Sequence, residues 1–185
     1  MSLAEGSRPR ANAAAPAASR PLRIGVIGSA SAEERALAAA HAVGVGIARA
    51  DAVLVCGGGG GVMAAAAAGA SAEGGTVVGI LPGDEAAAAA PGVSIPIPSG
   101  LGEARNVLVV KTSEAVIVVA GGWGTVNEAA LCMKIGRPLV GVLDALGPRF
   151  PIERFPDAAS AVARALELAG AGRHGSPPAT IGPRG

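Results

Sequence analysis

The sequence predicts a single α/β domain built as a doubly wound parallel sheet with helices on both faces, a three-layer α/β/α sandwich. Two observations predict this fold class. Short runs rich in valine and isoleucine alternate along the chain with longer helical stretches. These runs are almost continuously apolar, which is typical of strands buried on both faces and therefore of a parallel sheet.

The predicted strands are the short runs in which valine, isoleucine and leucine dominate. Glycine, proline or polar residues border these runs and favour turns at their ends. In chain order the predicted strands span residues 22–27, 52–56, 76–81, 93–97, 115–119 and 139–143.

The predicted helices are the stretches between and after these strands, and they span residues 32–49, 61–72, 103–112, 126–135 and 157–169. Two start signals support them, since Ser31 followed by Glu34 and Thr125 followed by Glu128 both have the spacing of a capping box. Ser31 is therefore the expected N-cap of the first helix. Gly44, inside that helix, predicts close packing of the helix on the sheet.

Composition favours one globular domain. Of the 185 residues, 50% are hydrophobic and 16% are charged, and the formal net charge is +1. The domain is expected to span residues 21–171, between tails at 1–20 and 172–185 whose composition, rich in alanine, proline, serine, glycine and arginine, predicts disorder. The chain has two phenylalanines, one tryptophan and no tyrosine, so its core must be aliphatic.

The same composition argues against several functional classes. A near-neutral chain with few aromatic residues lacks the basic face that nucleic-acid binding needs. Its histidines, His41 and His174, and its cysteines, Cys56 and Cys132, do not cluster, so no metal site is expected. The uncharged segment 52–72 contains a run of glycines and therefore does not predict a membrane span. No secretory leader is recognised, so we expect a cytoplasmic protein with reduced, buried thiols.

Ligands of doubly wound sheets lie beyond the carboxyl ends of the strands, where the strand order reverses. Four loops of this chain follow strands there, and two of them are rich in glycine. The first strand is followed by Gly28 and Ser29. The second strand is followed by the first glycine-rich turn, a run of five glycines that contains Gly58, Gly59 and Gly60. Backbone amides in such turns can bind phosphate, although a tight crossover alone would also explain the glycines.

The second glycine-rich turn is Ala-Gly-Gly-Trp-Gly-Thr-Val-Asn-Glu, after the fifth strand. Its amide groups and one hydroxyl would face phosphate oxygens at the start of a helix. Neither turn matches the G-x-G-x-x-G dinucleotide fingerprint. Trp123, within this turn, would either cover a ligand ring or contact another subunit. The residues expected to contact phosphate are Gly121, Gly122, Gly124 and Thr125.

Two charged residues could complete such a site. Arg105 can make a bidentate contact to a phosphate, and the adjacent Asn106 could brace it. Glu128 could activate water or stabilise a ribosyl cation. Each has a structural alternative, because Glu128 could belong to the capping box and Arg105 could form a surface ion pair with Glu103 or Glu114.

At these residues the sequence resembles the LOG-like, or lysine-decarboxylase-like, family, whose members carry a PGGxGTxxE motif and an upstream arginine. Within that family it looks most like the molybdenum-cofactor carrier branch. One departure is that Ala120 stands where the phosphoribohydrolases of the family have proline. The matching segments are 24–29, 57–63, 79–83, 102–106 and 121–128.

The resemblance implies a Rossmann-like domain that assembles as a homodimer or homotetramer and binds a small phosphate-bearing heterocycle, with no required cofactor. In the carrier branch the bound ligand is molybdenum cofactor. In the plant-type members the reaction is hydrolysis of the N-glycosidic bond of cytokinin riboside monophosphates. Two functions therefore remain open: a carrier of molybdenum cofactor or a related pterin phosphate, and a phosphoribohydrolase in which Arg105 and Glu128 are catalytic. A scaffold without a ligand is the third possibility.

Overall fold

The computed structural model of the protein describes residues 20–148 and 150–173. The predicted tails lie outside these ranges apart from Arg20 and the end of the last helix. The strands are β1 (Arg23–Ile27), β2 (Val53–Cys56), β3 (Val77–Leu81), β4 (Ile95–Pro98), β5 (Ala115–Val118), β6 (Leu139–Val142) and β7 (Glu153–Phe155). The helices are α1 (Glu34–Arg49), α2 (Val62–Ala72), α3 (Asn106–Thr112), α4 (Trp123–Ile135) and α5 (Ala158–Arg173).

The strands form one parallel sheet in the order β4-β3-β2-β1-β5-β6-β7. The chain moves outward from β1 to β4, returns to β5 on the other side of β1, and continues to β7. The strand order therefore reverses between β1 and β5, which pair through Ile24 with Ala115 and Ile27 with Val118. The predicted doubly wound α/β fold is confirmed, and its switch point lies between these two strands.

Helices cover both faces of the sheet, and the core on each face is aliphatic as predicted. One face packs against α1, α2 and α5, which contribute Ala40, Ala66 and Ala165 to its core. The other packs against α3 and α4 through Val109 and Ala129. Because these side chains are small, the helices approach the sheet closely and the core can be filled without aromatic rings.

The close approach at Gly44 is between two helices, not between helix and sheet as predicted. A Cβ atom at Gly44 would overlap the carbonyl oxygen of Ala66 in α2, and one at Gly69 would overlap the carbonyl oxygen of His41 in α1. The two glycines therefore allow the backbones of α1 and α2 to touch. The prediction was wrong because the nearest atoms to Gly44 belong to the backbone of α2, while Ala40, Val43 and Ile47 are the α1 residues in the buried core.

Substituting Gly44 should separate these two helices. We expect Gly44→Ala to lower the free energy of unfolding by about 3 kcal/mol, because a methyl group cannot fit against a rigid backbone carbonyl. Gly170→Ala is the matched control, since Gly170 lies in α5 with nothing near its Cα hydrogens. That control should be neutral or slightly stabilising. Urea denaturation of both variants measures the difference, and equal midpoints would contradict the proposed helix contact.

Neither predicted capping box is present. The residue before α1 is Glu33, with no side-chain cap, and the amide of Ser31 instead donates to Oγ of Ser29 at 3.3 Å. That local turn competes with a helical start at Ser31. Helix α4 begins at Trp123, three residues earlier than predicted, so Thr125 and Glu128 lie inside the helix. The structural explanation of Glu128 as a capping residue is therefore wrong.

One predicted helix is divided, and one strand is present that was not predicted. A short 3₁₀ turn, Gly102–Arg105, precedes α3, so the predicted helix 103–112 is divided. The short edge strand β7 was not predicted, because Glu153 and Arg154 interrupt its apolar pattern. Arg154 donates hydrogen bonds to the carbonyls of Ala145, Gly147, Phe150 and Ile152, and thereby holds the loop between β6 and β7.

Candidate functional site

Three loops meet at the switch point, at the carboxyl ends of β1, β2 and β5. The amide of Ser29 donates to the carbonyl of Ala120 at 3.0 Å, and the amide of Val62 donates to the carbonyl of Ser29 at 3.0 Å. A Cβ atom at Gly28 would lie 2.8 Å from the carbonyl oxygen of Ala120 and would overlap Val62. Gly28 is therefore the residue around which the loops pack.

The glycine run after β2 turns sharply into α2. Gly58 and Gly61 adopt positive φ angles of 70° and 60°, which are unfavourable for other residues. Gly58 is buried, and its amide donates to the Cys56 thiol sulfur at 3.4 Å. Gly59 is half-buried and Gly60 is exposed. Of the three glycines predicted to bind phosphate here, Gly59 and Gly60 are thus the ones that reach the surface.

Arg105 is buried at the centre of this edge. Its guanidinium covers Gly57, where a Cβ atom would lie 2.6 Å from Cζ. Its Nη1 lies 3.7 Å from Oε1 of Glu128, and the two side chains are only 10% and 9% exposed. The alternative of a surface ion pair with Glu103 or Glu114 is wrong. Sequence reasoning also missed Gly57, whose importance appears only once the arginine is placed on it.

The contact between Arg105 and Glu128 is longer than a hydrogen bond, and the Arg105 Nε has no partner. The Nε–H donor of this buried guanidinium is thus left without an acceptor in the described part of the protein. Burial raises the pKa of Glu128 from its usual 4.5 to about 7, the positive charge of Arg105 lowers it, and the negative charge of Glu103 raises it. Burial is the largest of these effects, so Glu128 is partly protonated at neutral pH.

This raised pKa predicts a pH-dependent stability. Between about pH 4.5 and 7 the folded protein keeps a proton on Glu128 that the unfolded chain has lost. Stability present at low pH is therefore lost as the pH rises through this window, by about 3 kcal/mol at most. The variant Glu128→Gln should lack this loss. Urea denaturation of both proteins at pH 5 and 7.5 measures it, and parallel pH profiles would contradict it.

The glycine-rich turn after β5 is exposed at Gly121, Gly122 and Gly124. Thr125 is buried, and its side chain packs so closely on Gly121 that a Cβ atom there would overlap it. Because α4 begins at Trp123, the amides of its first turn have no acceptors within the helix. These amides form the positive end of the helix dipole beside Arg105.

Asn106 does not brace Arg105 as predicted. It is buried, and its amide nitrogen donates to Oδ1 of Asn127 on α4 at 3.3 Å. This hydrogen bond joins α3 to α4 and fixes their relative position. Asn106 thus fixes the position of α3, which directly follows Arg105, relative to α4, which carries Glu128.

Two open depressions lie beside the turn that follows β5. One of about 650 Å³ lies between α3 and α4, and its lining includes Val107, Trp123 and Leu131. Another of about 460 Å³ lies between Gly121 and the loop after β6, with Arg35 and Asp144 in its lining.

The remaining chemistry-bearing groups lie outside the site or are inert. Burial raises the pKa of the Cys56 thiol to about 11 and that of Cys132 to about 12, and both are buried as predicted. Among the described residues, no group of three or more histidine, cysteine or acidic side chains is arranged to hold a metal ion. No helix in the described ranges has the length and apolar character needed to cross a membrane.

Comparisons with known proteins agree with this fold. The model of the SLOG cluster4 family matches residues 21–167. An uncharacterized protein of Archaeoglobus fulgidus is 43% identical over 122 residues, which are 63% of this chain and 76% of that protein.

Solved structures with the same fold include two whose ligand or role is named. The molybdenum cofactor binding protein of the phototrophic bacterium Rippkaea orientalis is 32% identical with a TM-score of 0.74, covering 83% of this chain and 98% of that one. A Moco carrier protein of Chlamydomonas reinhardtii is 33% identical with a TM-score of 0.73, covering 82% and 99%. The resemblance to the LOG-like family and its carrier branch is confirmed.

Proposed function

The chain belongs to the SLOG cluster4 family, and from this premise and its site we propose that it binds molybdenum cofactor or a related pterin phosphate as a carrier. The phosphate would lie against the amides of Gly124 and Thr125, where α4 begins. Arg105 would contact the phosphate from the side of β2. The similarity to carrier proteins over nearly their whole length supports the choice of ligand class.

The observation that carries the proposal is the unsatisfied guanidinium of Arg105. A buried cation with an unpartnered Nε is costly unless an anion completes its contacts. Glu128 completes them only in part, since it lies 3.7 Å away and is partly protonated at neutral pH. A phosphate held on the same side by helix amides would supply the missing acceptors.

Retention of the ligand tests this proposal. Purified protein is mixed anaerobically with molybdenum cofactor released from a molybdoenzyme and then desalted. Pterin is measured as its fluorescent oxidation product, and molybdenum by mass spectrometry. We expect both to remain with the protein, whereas their loss together with the small-molecule fraction would contradict the carrier function.

A second function, the hydrolysis of nucleoside 5'-monophosphates, is favoured by one observation. A carboxyl group with a pKa near 7 can act as a general acid or base at neutral pH, and Glu128 has such a pKa beside Arg105. In this reaction Arg105 and Glu128 would be catalytic. Incubation with AMP and cytokinin ribotides, followed by chromatography for released base, tests it. Release of base by the wild-type protein but not by Glu128→Gln would support this second function. No release of base by the wild-type protein would contradict it and leave the carrier function as the proposal.

A further inference from the structure

The depression of about 460 Å³ beside the loop after β6, called here the Asp144 depression, has no role in the proposed function as stated above. Gly121 and Val126 line one side of it, and both belong to the segment that contains the amides proposed to bind phosphate. Its size is that of a site for a small heterocycle. A ligand held by its phosphate at the start of α4 can therefore extend into this depression.

The lining of the Asp144 depression combines apolar walls with charged groups. Ala36, Val126 and Leu146 contribute apolar surface, whereas Arg35 and Asp144 are exposed and charged. In the described part of the chain, neither of these two charged side chains forms an ion pair. One cation and one carboxylate are thus available to a ligand whose ring faces contact the apolar walls.

The loop that carries Asp144 has a strained backbone. Leu143 and Leu146 have positive φ angles of 58° and 62°, which are unfavourable for leucine. Arg154 enforces this conformation, because it donates hydrogen bonds to four carbonyls of the loop. Strain that the surrounding structure imposes is typical of ligand sites. Asp144 is therefore presented on a preorganised loop, which lowers the entropic cost of binding.

The two charged groups require different edges of a ligand ring. A guanidinium donates two hydrogen bonds to a carbonyl oxygen and the ring nitrogen beside it, as arginine does to O6 and N7 of guanine. A carboxylate accepts hydrogen bonds from an amino group and a neighbouring ring N–H. A 2-amino-4-oxopyrimidine fused to a second ring has both edges, and pterins and guanine share it. Adenine has an amino group where the guanidinium needs an acceptor.

The depression between α3 and α4 lacks this combination. Glu103 is the one charged residue among the described residues that line it, and Asn106 and Asn127 in its lining hydrogen-bond to each other. It offers no cation to the carbonyl edge of such a ring. Of the two depressions, the Asp144 depression is therefore the one that matches the ring at both edges.

We propose that the Asp144 depression binds the heterocycle of the ligand, and that Arg35 and Asp144 select a fused 2-amino-4-oxopyrimidine ring. This assignment deepens the proposed function and rests on it for the position of the phosphate. The carboxylate of Asp144 accepts hydrogen bonds from the amino group and the adjacent ring N–H. The guanidinium of Arg35 donates to the carbonyl edge.

Titration calorimetry with GMP and IMP tests this selection. The two nucleotides have the same phosphate, ribose and carbonyl edge, and only GMP has the 2-amino group. We expect the wild-type protein to bind GMP about tenfold more tightly than IMP, and Asp144→Asn to lose that difference. Arg35→Gln should weaken the binding of both nucleotides equally. Equal affinities of the wild type for GMP and IMP, or a difference that persists in Asp144→Asn, would overturn the inference.

Molybdenum cofactor is the second probe, and it distinguishes a pterin from a guanine as the source of the ring. Asp51→Asn is the matched control, because Asp51 is exposed and follows α1 at the opposite edge of the sheet. We expect Asp144→Asn to bind the cofactor about tenfold more weakly than Asp51→Asn, with the same urea midpoint.

The two probes also separate this inference from the carrier function. Wild-type affinity of Asp144→Asn for molybdenum cofactor would overturn the inference and leave the carrier function intact. No binding of the cofactor by the wild type, together with a preference for GMP that depends on Asp144, would contradict the carrier function. That result would support the inference, with a guanine nucleotide as the ligand.

Discussion

Replacing Arg105 with methionine should reduce the affinity for molybdenum cofactor by about a hundredfold, equivalent to about 3 kcal/mol. The guanidinium is the one buried cation that reaches the central site in the described part of the chain, and its Nε has no protein partner. Methionine preserves much of the side-chain volume over Gly57 but cannot donate hydrogen bonds to a phosphate. The loss should therefore appear in binding.

The fold should tolerate this change. Arg105 lowers the pKa of Glu128, so removing the arginine raises that pKa further and leaves Glu128 protonated at neutral pH instead of as an isolated charge. Arg49→Met is the matched control, because Arg49 is exposed and pairs with Glu73 at 2.8 Å, away from the site. Retention of pterin by the Arg105 variant at the wild-type level would exclude Arg105 from the ligand site.

Substituting Gly57 should weaken binding almost as much as removing the arginine. A Cβ atom at Gly57 would overlap the guanidinium nitrogens of Arg105. The end of that flexible side chain can move, so we expect the free energy of unfolding of Gly57→Ala to change by only about 1 kcal/mol. A guanidinium displaced by about 1 Å from its position should lose about a hundredfold in affinity.

Gly83→Ala is the control for this substitution, because nothing lies near its Cα hydrogens. Equilibrium binding and urea denaturation of the two variants separate an effect on the site from an effect on stability. An affinity of Gly57→Ala equal to that of Gly83→Ala would show that the position of the Arg105 guanidinium over Gly57 is unimportant for binding.

Much of the fold could be predicted from the chain because its strands are continuous apolar runs. The pattern at 115–119 identified β5, which is fully buried. The alternation of strands and helices along the chain implies parallel pairing, and it therefore also located the loops at the carboxyl edge of the sheet. The edge strand β7 has only three residues, two of them charged, and could be found only from its pairing with β6.

The site could be predicted in its residues but not in their arrangement. The glycine-rich turn and its neighbouring charges indicated Arg105 and Glu128, yet local spacing equally suggested a capping box and a surface ion pair. Burial decides between these alternatives, and burial depends on which strands are neighbours. The role of Gly57 is similarly invisible in the sequence, because Arg105 approaches it from a distant part of the chain.

A crystal structure of the protein with bound molybdenum cofactor tests the central claim most directly. We expect the terminal phosphate of the pterin to accept hydrogen bonds from the amides of Gly124 and Thr125 and from the guanidinium of Arg105. A phosphate bound instead in the depression beside Asp144, or on the outer surface of α3 and α4, with Arg105 still contacting only Glu128, would contradict the claim.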